Sequence, residues 1–95
     1  MDCYFITRVE LLEATENDYL RLQSEMDARG FSRVIPNNDG RRRTLPTGMY
    51  FIQRPVSDPA AINNIAVEAA DKTKRKHRVI SFRTDLWASN ITPGL

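Results

Sequence analysis

Two stretches of helical periodicity, each set between strand-like runs, constrain this chain more than any other feature. Tyr19, Leu22 and Met26 recur at spacings of three and four, and Ile62, Ile65, Ala66 and Ala69 repeat the i, i+3, i+4, i+7 stripe. Each stripe needs an apolar surface to lie on. Around them stand "CYFITRVELL", "FSRVI", "GMYFIQ" and "RVISF", rich in the aromatic and β-branched residues that suit a pleated, half-buried surface. The order β-α-β-β-α-β in 95 residues predicts an α+β, ferredoxin-like sandwich. Its expected form is a four-stranded antiparallel sheet with both helices on one face, strands one and three central and the other face free.

Local signals mark the boundaries. In the first strand Phe5, Val9 and Leu11 alternate onto one face and Tyr4 and Ile6 onto the other, as expected of a central strand. Thr15 and Asp18 have the spacing of a capping box, Gly30 stops the first helix, and Asp58-Pro59 opens the second. Asn37 to Gly40 reads as a turn, and Pro46 keeps "RRRTLP" irregular or at a sheet edge. A chain this short removes only about 60–65% of its unfolded surface from water, which leaves room for one core. Residues 1–95 are therefore one domain, with a core over about 3–84 and a tail at 85–95 that carries Trp87.

With 41% hydrophobic and 27% charged residues the chain falls among globular domains. The single cysteine, Cys3, excludes an intramolecular disulfide and a cysteine zinc site. Asp2, Arg8 and Glu10 make the N-terminal run too charged to act as a secretion signal or to span a bilayer, so a cytoplasmic protein without membrane contact is expected. There is no Gly-rich phosphate loop, no HExxH and no nucleophile triad signature; neither a metal site nor a cofactor is expected.

The net charge of +2 hides an asymmetry. Residues 1–20 hold one arginine against five acids, whereas positive charge gathers in "RRR" at 41–43 and "KTKRKHR" at 72–78. Two basic clusters on a small domain point to a polyanion, against the plainer reading of solvated faces. Arg41, Arg42 and Arg43 are expected in a mobile loop that tracks phosphates, with Lys74, Arg75 and Lys76 as a second set of contacts. Single-stranded RNA is also held by stacking, and Tyr4, Tyr50, Phe51, Phe82 and Trp87 form the aromatic pool. Of these, Tyr50 and Trp87 are expected to be exposed for RNA.

RNA cleavage without a metal needs a base near the 2′-hydroxyl, cations for the transition state and an acid for the leaving oxygen. His77 is the only imidazole and a candidate for either proton transfer; its plain alternative is a solvated histidine in a basic run. Glu10, at the end of the first strand, is a candidate base; its plain alternative is one more surface acid.

The segment "YLRLQSEMDARGFSRVIPNNDGRRRTLPTGMYFI" resembles the GhoS-like family of antitoxins from type V toxin-antitoxin systems. The likeness lies in the L-R-L run, a Met four residues on, the F-S before a short strand, a turn Gly, a Leu-bearing loop and an aromatic third strand. It covers roughly residues 4–84. It implies a ferredoxin-like endoribonuclease that silences its toxin by cutting the toxin's messenger RNA. Carried over by position, Arg21 matches the basic residue of the L-R-L run and Glu10 the acid at the end of the first strand. The family's next basic position is Gln23 here, one charge fewer for a scissile phosphate.

Three functions follow: an endoribonuclease antitoxin acting on single-stranded RNA, a non-catalytic nucleic-acid-binding module, or a small mobile-element inhibitor that acts through a protein partner. A free sheet face and a small core also predict a symmetric homodimer.

Overall fold

The computed structural model describes residues 2–36 and 40–85. Its elements run β1 (Cys3–Leu11), α1 (Glu16–Ala28), β2 (Val34–Pro36), β3 (Arg42–Thr44), β4 (Met49–Arg54), α2 (Pro59–Asp71) and β5 (His77–Thr84). The chain is α+β, two helices on a small antiparallel sheet, and the arrangement is compatible with a ferredoxin-like fold. The expected sheet of four strands is not formed. Instead β4-β1-β5 make a three-stranded sheet and β2-β3 a separate ribbon.

The reason lies in where the second strand spends its hydrogen bonds. Only Ser32 bridges to the main sheet, exchanging backbone bonds of 2.8 and 2.7 Å with Phe51. The chain then turns away, and Val34, Ile35 and Pro36 pair with Thr44, Arg43 and Arg42. Ile35 and Leu45 are carried onto Ile6, with Met49 and Phe51 packed around them. This second, small core lies on the face expected to be free, so the ribbon covers the β4 side of that face and leaves the β5 side open.

The helices share the opposite face. Phe5, Val9 and Leu11 of β1 and Tyr50 and Ile52 of β4 form one core with Leu22 and Met26 of α1 and Ile62, Ala66, Ala69 and Ala70 of α2. The alanines let α2 approach closely; truncating Leu22 to Ala would cost about 2–5 kcal/mol through the cavity left behind. Thr15 and Asp18 complete their capping box, with Thr15 N donating to Asp18 Oδ2 at 2.9 Å and Asp18 N to Thr15 Oγ1 at 3.3 Å. At the other end Gly30 takes φ +90°, and Phe31 N donates back to Met26 O at 3.1 Å, closing the left-handed stop that the sequence predicts. Asp58 caps α2 by accepting from Ala60 N at 2.9 Å.

Candidate nucleic-acid interface

Strand alternation and register arrange the open face in rows. Ile6 lies between Phe51 and Phe82, Arg8 between Met49 and Ile80, Tyr4 between Gln53 and Thr84, and Glu10 beside Arg78. The ribbon packs on the Phe51 end of the first row and leaves Phe51 partly buried. At the β5 end Phe82 is 46% and Ile80 60% exposed. Two large apolar side chains exposed side by side on one strand face form a patch of the kind that marks an interaction surface. Arg8 lies across from Ile80 and Arg78 two residues before it, and Arg78 Nε lies 3.2 Å from Glu10 Oε1 in a solvated ion pair.

The second basic cluster lies in the turn that joins α2 to β5. Thr73 Oγ1 donates to Ala70 O at 2.7 Å and closes the helix end. Lys74 then takes φ +64°, which turns the chain sharply so that Lys74, Arg75 and Lys76 are all exposed. Lys76 O accepts from Leu12 N at 2.8 Å, fixing the turn against the end of β1. Arg75 Nε reaches Asp18 Oδ2 at 2.9 Å. The Thr15 amide, followed by the Thr15 hydroxyl and Arg75, holds the Asp18 carboxyl below its ordinary value. A shallow cleft of about 490 Å³ opens here, lined by Leu12, Glu13, Lys74, Arg75 and Lys76.

The residues that the sequence singles out do not converge. Glu10 lies on the open face, whereas its neighbour across the ladder from Leu11, His77, follows the opposite alternation toward the helices. Arg21 is exposed on α1, on the helix side of the sheet. Gln23 accepts from Arg33 Nη1 at 3.5 Å. His77 has a partner that sequence reasoning missed: its Nε2 lies 2.7 Å from Asp71 Oδ1. The signal was six residues upstream, but only the turn at Lys74 brings the two together.

Two expectations are corrected. Tyr50 is not an exposed stacking residue: it is 1% exposed in the helix-side core, set edge-on to Phe31, and burial pushes its hydroxyl up to about 12. The arginine run is not a mobile loop. Arg42 and Arg43 belong to β3, and alternation leaves Arg42 exposed while Arg43 is 6% exposed, its Nη1 donating to Arg42 O at 3.1 Å. Arg41 is exposed just before the strand. Trp87 and the 86–95 part of the tail lie outside the described residues.

Among the described residues no three His, Cys, Asp or Glu side chains gather as a metal site requires, and no helix is long and apolar enough to cross a membrane. No protein-family model matches the chain, and no curated protein matches it in sequence.

Proposed function

We propose that the protein binds single-stranded RNA across the β5 half of its open face and acts as an antitoxin on a toxin messenger. One observation carries this reading: two exposed apolar side chains, Phe82 and Ile80, share one face of β5, with Arg8 across from Ile80 and Arg78 two residues before it, toward the turn that holds Lys74, Arg75 and Lys76. Bases stack on the ring while cations follow the phosphates, at about 1–3 kcal/mol per stacked base.

Cleavage is the further expectation that the family likeness brings. The 2′-hydroxyl attacks phosphorus, its proton passing to a base, and the 5′-oxygen leaves with a proton from an acid, giving a 2′,3′-cyclic phosphate. His77 serves one transfer and Glu10 is the candidate for the other, while Arg21 would place a cation near the scissile phosphate. A second reading, binding without cleavage, is favoured by the opposite faces of Glu10 and His77. A labelled RNA of about ten nucleotides separates them. Binding with EDTA-resistant production of cyclic phosphate supports the nuclease; binding with intact RNA supports the second reading; no binding at low salt refutes both. We also propose a cytoplasmic homodimer joined through the outer edge of β5.

A further inference from the structure

We infer that a second, separate cleft at the β4 edge of the sheet holds one nucleotide of the RNA, its base against Tyr4 and its phosphate between Arg42 and Arg54. This rests on the RNA-binding reading above. The cleft, of about 450 Å³, opens where β4 meets the β2-β3 ribbon, and Tyr4, Ser32, Arg42, Phe51, Gln53 and Arg54 supply its polar and aromatic wall. Two arginines line it and no carboxylate does, so its field favours an anion.

The aromatic wall is pre-formed. Tyr4 and Phe51 are diagonal neighbours across β1 and β4, with ring centroids 5.8 Å apart and planes 18° from parallel. A planar ligand extends that stack at little conformational cost, because Phe51 is already held under the ribbon.

The cationic side is built with equal care. Arg54 Nη1 donates to Gln53 O at 2.9 Å and Nη2 to Arg29 O at 3.2 Å, which fixes the guanidinium plane and leaves donors to spare. Its group packs on Gly30, where a Cβ would force the guanidinium to shift. Gly30 thus has a second reason to be glycine besides its φ of +90°. Arg42 projects from the exposed side of β3 into the same cleft. Ser32 Oγ is already engaged with Val34 N and O, so Gln53, exposed at the mouth, is the group left to read a base edge.

An acidic peptide would meet the arginines but has no planar group for the aromatic wall, and this separates the two ligand classes. The experiment measures anisotropy of a labelled ten-nucleotide RNA at four salt concentrations for wild type, Tyr4→Leu, Tyr4→Phe, Arg42→Ala and Phe82→Ala. Tyr4→Leu should weaken binding about 5- to 100-fold, as loss of one stacked base does. Tyr4→Phe, which keeps the ring, should bind as wild type, and this pair separates stacking from folding. Arg42→Ala should flatten the slope of log affinity against log salt by about 0.7. Wild-type affinity and slope in both Tyr4→Leu and Arg42→Ala, with Phe82→Ala weakened, would overturn the cleft and leave the open-face reading standing. Absence of RNA binding by wild type would overturn both. Equal loss in Tyr4→Leu and Tyr4→Phe, or displacement of RNA by an oligoglutamate at matched charge, would also overturn the cleft.

Discussion

His77 Nε2 lies 2.7 Å from Asp71 Oδ1, so the only imidazole of the chain is oriented by a carboxylate at the end of α2. An ionised carboxylate only accepts, which places the proton on Nε2 and leaves Nδ1 as the ring's acceptor. If His77 transfers a proton in RNA cleavage, Asp71 is its positioning residue. Asp71→Asn should then lower kcat about tenfold to a hundredfold with KM and RNA affinity unchanged, and His77→Ala should abolish the reaction. Steady-state cleavage of a labelled RNA checks this. Unchanged kcat in both variants would remove His77 from the mechanism without touching RNA binding.

The arginine run divides by strand alternation, and its members answer to different tests. Replacing Arg41 and Arg42 together with Ala should leave the thermal midpoint within a few degrees and flatten the salt dependence of RNA binding by up to about 1.4. Such contacts position a strand without reading it, so good and poor RNA sequences should lose affinity alike. Arg43→Ala should instead lower stability by about 1–3 kcal/mol, since its largely buried stem packs within the ribbon. Denaturant melts beside salt titrations separate the two effects.

Tyr50 predicts an alkaline limit. Its hydroxyl is raised by burial to about 12 from an unfolded value near 10, so the neutral form is the one that the fold favours. The contribution is fully present below pH 10 and is lost as pH rises from 10 to 12. It amounts to about 3 kcal/mol at most. Urea midpoints measured between pH 8 and 12 should fall more steeply in wild type than in Tyr50→Phe, and equal slopes would contradict the assignment.

Two glycines with the same backbone sign separate strain from collision. Gly48 has φ +85°, and a Cβ there would come within 2.6 Å of the carbonyl oxygen of Val9, in the backbone of the central strand. Gly40 has φ +80° with nothing within 4 Å. Gly48→Ala should cost about 3 kcal/mol or more, and Gly40→Ala about 1 kcal/mol from conformation alone. Chemical denaturation of the two variants gives the comparison directly.

The helix boundaries and the inner face were legible because their causes are local. Thr15 and Asp18, Gly30, and Asp58-Pro59 act within a few residues of themselves, and the periodicity of Leu22 and Met26 needs only a surface to face. Sheet membership was not legible. Whether "FSRVI" joins β4 or a ribbon depends on Ile35 and Leu45 finding Ile6, a contact between residues far apart in sequence. The exposure of Phe82 followed from the same choice, and that of Tyr50 from the face its register gives it. Tyr50 faces Thr7 on the helix side, and Phe82 faces Ile6 at the end that the ribbon does not reach, whereas a list of aromatics gives them equal standing. Asp71 was hidden for the opposite reason, since helical spacing places it away from a residue six positions on, and the left-handed turn at Lys74 reverses that.

The proposed homodimer is tested at β5. Among the described residues its outer edge over residues 77–83 pairs with no strand, and this run holds no Pro, Lys or glycine to discourage pairing. A twofold axis normal to the sheet requires the opposed residue numbers to have an even sum, and centring the axis at Ser81 gives the most complementary set. Ile80 then meets Phe82 of the second copy twice over, Arg78 meets Thr84, and His77 meets Asp85, whereas centring at Ile80 sets His77 against Arg83. In the proposed dimer the two open faces would join into one wider surface for the proposed RNA ligand. In a Cys3→Ser background, Ser81→Cys should oxidise to a covalent dimer, its Cα atoms about 5 Å apart across the axis, while Ile80→Cys, about 8 Å from its counterpart, should not. Phe82→Asp should halve the mass seen by light scattering at tens of micromolar. A monomeric mass for the unmodified chain, or crosslinking through Ile80→Cys alone, would show that β5 does not pair in this way.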